Sequence, residues 1–552
     1  MVRFALPLAL LPLATAAVAQ TADVPADTAA KAAAARAERN AVLTKALPPE
    51  QAAMKAHVMF LASDAMRGRE AGSEEYDIAA QYVASQFYAA GLRPAGDDGG
   101  YLQRVPLVSY KPADKGSFAL GTDGRKRKLT FGEEYVPSGN PEAAVTKVGA
   151  PIVLVGQGIV APGHDRDDYA GVDVRGKIVA VVRGAPESYD GEQRAHFGST
   201  STKAAIAAAH GAAGVVILDP GSLERAAKYY DHARVTWADA QGNGHPAAPG
   251  TPILGTIGGK AAGRLLDAAG LTADDLTSER FRAVALPVTL TATVNTAREA
   301  MESSNVAGIL PGSDPQVGDQ VVVLSAHLDH VGVGDPDDTG DTIYNGAEDN
   351  AVGIASLIEE ARRFKASGKP PKRSILFLAV TAEEKGLVGS DYFARHPTVP
   401  KDKLVADVNL DMPILTYPFE DVIAFGAERS TLGPIVKQAA RDAGVAFSPD
   451  PMPEMGLFVR SDHYRFVQQG IPSVFLWPGE KGPGKAAVEE FFDKHYHQPS
   501  DQIGKSGIDW AQGVRFIDVN YQIARQIADA EKRPAWNRGD FFGTLYHGYG
   551  AK

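Results

Sequence analysis

The chain has 552 residues, no cysteine and a formal net charge of -11, with 44% hydrophobic and 22% charged residues. That length exceeds one ordinary core, so two or more domains are expected, and the composition is that of a folded chain rather than a disordered one. Without thiols there are no disulfides, thiol nucleophiles, iron–sulfur clusters or cysteine zinc sites, so any metal must be held by nitrogen and oxygen; the acidic balance argues against a nucleic-acid partner.

The chain begins Met-Val-Arg, continues through an apolar stretch from Phe4 to Ala16 interrupted by Pro7 and Pro12, and reaches Ala17-Val18-Ala19 before Gln20. A positive start, an apolar run too short to span a bilayer and a small-x-small site predict a cleavable export signal over 1–19. No later apolar run is long enough to cross a membrane, so the expected product has no membrane anchor and is periplasmic or extracellular. An Ala-rich polar stretch over 20–46 reads as a linker.

Residues 47–140 form the next segment, with a helix near 51–62 and another over 75–90. The second puts Ala79, Ala80, Val83, Phe87 and Ala90 on one face. Short alternating segments follow from 101 to 136. Residues 141–290 read as a separate unit, with buried strands at 152–155, 177–182 and 214–218 and a small-residue helix at 202–210. Its histidines, His164, His196, His210, His232 and His245, are scattered, and structural or surface roles are expected for all five.

The last segment, 291–552, alternates strands and helices. Apolar runs at 321–326, 374–380, 404–410 and 471–476 are strands, and Ile354, Leu357, Ile358, Ala361 and Phe364 share one helical face. This is the rhythm of a sheet flanked by helices, where function collects at strand ends.

Polar groups able to carry chemistry stand at those ends. The first strand runs into His327-Leu328-Asp329-His330. Alternation along the strand sends His327 and Asp329 to one side, so the carboxylate is expected to orient the imidazole. Asp349 stands just before the amphipathic helix and reads either as a metal ligand or as an N-cap. The next strand ends in Glu383-Glu384, of which one can bind a metal while its neighbour faces the nucleophilic water. Asp411 follows the third strand, and His497 comes with Tyr496 beside it and Asp501 four residues on. One His and one carboxylate per metal, with a shared Asp, make a sensible two-metal plan. Two zinc ions roughly 3.5 to 4 Å apart polarise a carbonyl and activate water.

These residues resemble the dinuclear zinc exopeptidases of the secreted bacterial aminopeptidase and glutamate carboxypeptidase type, in the subgroup with an inserted protease-associated (PA) domain. The resemblance lies in the stretch 57–69, the PA-like unit, and the combination of Ser-Ala-His-Leu-Asp-His, Asp349-Asn350, Glu383-Glu384, Asn-Leu-Asp at 409–411, Arg460-Ser-Asp-His463 and Tyr496-His497. It implies a phosphorylase/aminopeptidase-like α/β fold, a mixed sheet flanked by helices, with a smaller inserted PA domain of β-sheet plus helices. It also implies two zinc ions per chain: His327 and Asp411 on one, Glu384 and His497 on the other, and Asp349 bridging. Glu383 would be the general base, Tyr496 the donor to the oxyanion and Asp329 the partner of His327. A cis peptide is implied at Asp349–Asn350.

The expected activity is aminopeptidase hydrolysis of a peptide substrate. The same framework also serves carboxypeptidases, and glutaminyl cyclases with one zinc or non-catalytic binding ectodomains are the other outcomes. The resemblance assigns no ligand role to His330, His463 or His495. Ser461-Asp462-His463 is not expected to act as a triad, since three sequence neighbours rarely converge. The acidic loop 335–341 lacks the EF-hand glutamate, because Gly346 stands at the twelfth position, and Gly479 to Lys485 spells a P-loop without its hydroxyl residue.

Overall fold

The computed structural model describes residues 40–552, so the export signal expected over 1–19 and most of the linker over 20–46 lie outside the described residues. Two units are distinguished, one ending at Ala46 and one from Leu47 to Lys552. In the first, the Thr44 hydroxyl donates to the Asn40 carbonyl at 2.7 Å within a short helical stretch.

The second unit opens with the helix Pro49–Leu61. Its proline sits in the first turn, where no intrahelical N–H is needed, and Met54, Val58 and Leu61 are buried. The helix Glu74–Ala89 is capped by Ser73, whose side chain accepts the Tyr76 N–H. Three acids lie in its first turn, and Ala79, Ala80, Val83 and Phe87 are buried as the periodicity predicts.

The sheet is organised around one strand of 27 residues, Val284–Leu310. Its first part pairs antiparallel with Ser117–Thr122 and Val145–Leu154 on the PA side. From Thr296 onward it pairs with Leu102–Pro112, and at its end with Ser374–Val380, on the catalytic side. The boundary expected at 290 therefore falls inside a continuous strand, and the strands at 117–137 join the PA-side sheet although they precede residue 141. Burial alternates along 284–296 against one core, and after a more exposed stretch at 297–302 the same unbroken strand enters the other core from Ser303.

On the catalytic side, Ser374–Val380, Val321–His327, Leu404–Leu410 and Ser473–Pro478 lie side by side and parallel, and Asp421–Phe425 runs antiparallel beyond them. The last parallel strand begins at Ser473 rather than at 471, after Pro472, which has no N–H to give the ladder. Alternate side chains feed opposite faces. Val321, Val323, Leu376 and Leu378 pack with Phe393 and Phe466, while Phe377 meets Phe87 and Phe364 on the other side. Because the parallel strands end on one edge, His327, Thr381 and Asp411 arrive together there.

The PA side is tied to the catalytic side by polar contacts. His196 Nδ1 lies 2.8 Å from the Tyr464 hydroxyl, the Trp237 indole N–H donates to Asp391 Oδ2 at 2.7 Å, and Arg429 pairs with Glu192. Burial lowers the His196 imidazole from 6.5 to about 4. A histidine held neutral in the fold but free to protonate when unfolded loses its contribution as pH falls. Stability is therefore full above about 6.5 and declines toward 4, by up to about 3 kcal/mol. Thermal unfolding followed from pH 7.5 to 4.5 is expected to show this loss, and His196→Phe should flatten that part of the profile; an unchanged slope in the variant would refute the assignment.

Candidate metal centre

His327 closes its strand and is almost fully buried. Its Nε2 lies 3.0 Å from Asp411 Oδ1 and 3.2 Å from Asp349 Oδ1. Its Nδ1 contacts the backbone carbonyl of Asp329 at 3.1 Å. With Nδ1–H donating to that carbonyl, Nε2 carries its lone pair toward the two carboxylates. The expected role of Asp329 is corrected here. Its carboxylate does not reach the ring of His327 but accepts the backbone N–H of Glu383 at 3.0 Å and of Glu384 at 3.3 Å, because the strand has already ended when Asp329 is reached. Asp329 thus fixes the loop that carries both glutamates.

Asp349 follows the same logic from the helix side. Its peptide bond to Asn350 is cis, as the resemblance implies. Asp349 does not cap the following helix, whose N-cap residue is Ala351 and which has no side-chain cap. The loop is instead held from two directions. Asp501 accepts the Glu348 and Asp349 N–H groups at 2.9 and 3.0 Å, while Asn350 donates to the Leu410 carbonyl at 2.9 Å and accepts Met412 N–H at 3.1 Å. The two carboxylate oxygens of Asp349 are divided: Oδ1 faces His327, and Oδ2 lies 3.2 Å from His497 Nε2.

His497 Nε2 also lies 3.1 Å from Glu384 Oε2. The structure therefore brings His327, Asp349, Glu384, Asp411 and His497 together. Tyr496 stacks on His497 at 4.0 Å, with burial and the Asp349, Glu384, Glu383 and Asp411 carboxylates raising its phenol. Burial would raise Asp349, yet His327 and His497 hold it well below the usual carboxylate range. Glu384 is raised by burial and by Asp349, but His330 and His497 outweigh both and bring it to about 2. His497 moves the other way, to about 10, because Asp349 and Glu384 outweigh its burial. Glu383 is pushed well above its ordinary value by burial, with Glu384, Asp411 and Asp462 adding to the effect against His327.

Several residues of the site escaped the sequence reading. The Ser461 hydroxyl donates to Asp411 Oδ2 at 2.5 Å and itself accepts Asn409 Nδ2 at 2.7 Å, so it orients a carboxylate rather than serving a triad. Arg69, 1% exposed, donates to the carbonyls of Leu328, Leu61, Asn345 and Gly346. Gly68 lets that arginine in: it has φ +71°, and a Cβ there would meet the Gly332 and Tyr344 carbonyls at 2.5 Å. His330, fully buried, comes within 2.8 Å of Glu384 Oε1.

The donor set fits metal ions. Two groups of side chains, His327 with Asp349 and Asp411, and His330 with Asp349 and Glu384, each offer donor atoms within 4.8 Å of one another. Buried carboxylates this close repel one another unless cations share their field. The other motifs do not form such sites. In the acidic loop Asp337 Oδ1 is occupied by Thr339 and Asp341 N–H groups, and at Gly479 the Asp421 carboxylate lies where a phosphate cradle would need to be open.

Residues 305–524 match the model of peptidase family M28, and residues 148–251 match that of the PA domain. An aminopeptidase from Pseudomonas aeruginosa (strain UCBPP-PA14) is 25% identical over 489 residues, 84% of this chain and 78% of the relative. The probable glutamate carboxypeptidase VP8 of Zea mays is 26% identical over 479 residues, 79% of this chain and 59% of the relative. Among solved structures, the aminopeptidase from Aneurinibacillus sp. strain AM-1 is similar with a TM-score of 0.46 and 21% identity, over 87% of this chain and 93% of that one. Three further curated relatives are matched over only 43%, 40% and 42% of their length, so the chain spans less than half of each. The M28 match covers every strand end that contributes to the candidate metal centre and the PA match lies in the unit ahead of it: residues 305–524 are a peptidase family M28 region and residues 148–251 a PA domain.

Proposed function

We propose that the chain is an exported zinc-dependent aminopeptidase that hydrolyses N-terminal residues from peptides. The observation that carries this reading is the division of the Asp349 carboxylate between His327 and His497, with Asp411 and Glu384 completing two half-sites and Glu383 beside them. His327, Asp411 and Asp349 would hold one zinc, and Asp349, Glu384 and His497 the other. When bound, a zinc pair lowers the pKa of water and polarises the scissile carbonyl.

The protein's own groups do the rest. Glu383, held by the Asp329 carboxylate through its backbone N–H, takes a proton from the attacking water and returns it to the leaving amine. The Tyr496 hydroxyl, kept protonated at all working pH, donates to the developing oxyanion. The free α-amine of the substrate would meet Glu383 and Asp411. A cavity of about 1280 Å³ between the PA and catalytic sides is walled by Trp237 and His245 from one and by Leu387, Val388 and Tyr464 from the other, and it borders the turn that follows Glu383 and Glu384 rather than the metal-ligand side chains themselves.

Similarity to a named carboxypeptidase over most of the chain favours that activity as the second reading. One experiment addresses both. The full chain is expressed with its N-terminus intact and recovered from the exported fraction, where it should begin at Gln20. It is then assayed on aminoacyl amides and on N-blocked peptides with a free C-terminus. Hydrolysis of the amides, lost with chelator and restored by zinc, is expected; activity on the N-blocked peptides alone establishes the carboxypeptidase, and chelator-insensitive or absent hydrolysis on both removes the proposal. No helix among the described residues is long and apolar enough to cross a membrane.

A further inference from the structure

His330 is the one histidine at the site without an assigned role. It is fully buried, and neither of its ring nitrogens has an aligned hydrogen-bond partner. A buried imidazole left in that state costs free energy unless something else occupies its lone pair. Its Nδ1 lies 2.8 Å from Glu384 Oε1 and 3.9 Å from Asp349 Oδ2. Glu384 Oε1 likewise has no aligned hydrogen-bond partner in spite of the 2.8 Å separation. A nitrogen and an oxygen in contact but out of line with each other converge on a common point, as two ligands of one cation do. For zinc bonds near 2.0–2.1 Å in tetrahedral array, neighbouring donor atoms stand about 3.3 Å apart, within the span of the His330 separations.

The ring is also held in place. Gly346, at φ +60°, packs so tightly that a Cβ there would meet His330 Cγ at 2.6 Å. Arg69 fixes the Gly346 carbonyl at 2.9 Å, so the imidazole is pinned on that face. Across the site, the His497 ring lies 5.6 Å away and edge-on. Glu384 thus stands between two imidazoles, with Oε1 toward buried His330 and Oε2 toward His497, which is 35% exposed.

Resting on the dinuclear zinc reading above, we propose that His330 is a sixth protein ligand, binding through Nδ1 at the Glu384 half-site. That half-site then carries two histidines, one buried and one at the rim, while the His327 half-site carries one. The buried ligand lets the half-site keep its metal while the exposed one is disturbed by substrate traffic.

X-ray absorption on the zinc-loaded full chain counts imidazoles directly. Three histidines over two ions predict about 1.5 imidazoles per zinc, falling to about 1 in His330→Ala, and His330→Ala should release its second zinc to a competing chelator about 10–100-fold more readily. Circular dichroism and thermal unfolding confirm that the variant is folded, and the count on the unmodified protein stands whatever the variant does. A two-zinc protein with about one imidazole per zinc overturns the role of His330 and leaves the dinuclear centre intact. A chain that binds no zinc overturns both.

Discussion

Glu383→Gln is expected to reduce hydrolysis of aminoacyl substrates by about 10²–10⁴-fold, equivalent to about 3–5 kcal/mol of lost transition-state stabilisation, while the zinc content stays that of the parent protein. The expectation comes from how the two neighbouring glutamates are separated by their surroundings. Glu384 faces His330 and His497 and is drawn down to about 2, fit for a permanently ionised ligand. Glu383 lies in the same buried loop but is driven upward by burial and by the Glu384 and Asp411 carboxylates, which favours taking up a proton. Glutamine keeps the shape and cannot accept the proton. Zinc content by mass spectrometry and kcat for an aminoacyl amide are measured together. Parallel loss of metal and activity would mean that Glu383 is a ligand; full activity would remove it from the reaction.

The strands and the carboxylates at their ends were legible because local rules govern both. A short buried run such as Ser374–Val380 reads as a strand where strands and helices alternate, and the charged residues a few positions beyond it, here Glu383 and Glu384, must leave the sheet at an edge. Parallel pairing of that strand with Val321–His327 and Leu404–Leu410 then puts the groups after each one on the same side. The resemblance supplied which of those groups act together. Asp329 shows where alternation misleads: it assumes a strand that continues, and this strand stops at His327. The long strand Val284–Leu310 was hidden for the opposite reason, since an expected domain boundary cut a pattern that runs on.

What holds the site from behind was not legible at all. The Ser461 hydroxyl donates to a carboxylate 50 positions earlier, and three of the four carbonyls that Arg69 meets lie 259 to 277 positions later. Such partners leave no local periodicity, and a backbone carbonyl has no residue type to recognise. His330 matches none of the ligand positions that the resemblance implies, and its geometry rests on Gly346 and Glu384, which lie further along the chain.

Arg69→Ala tests this hidden scaffold, and its effect is expected to be on stability first and on metal second. The guanidinium makes four hydrogen bonds of 2.5–3.0 Å to backbone carbonyls at the His327 strand end, the first helix and the Asp349 loop. Burial lowers it to about 10, against the pull of Asp349, Asp329, Asp501 and Glu384, so it stays charged at neutral pH. Removing it leaves buried acceptors unpaired and carboxylates without their fixed cation, a change expected to cost about 3–5 kcal/mol. Arg69→Lys should recover little, since one ammonium with three donors cannot reproduce the planar fork. Denaturant unfolding of the zinc-free proteins gives the stability term, and chelator competition then shows weakened retention of zinc, because the loop carrying Asp349 and the turn against His330 lose a common anchor. An Arg69→Ala protein within about 0.5 kcal/mol of the parent, with unaltered zinc retention, would show that the packing of Gly346 and Asn345 alone sets the geometry and that the arginine merely fills space.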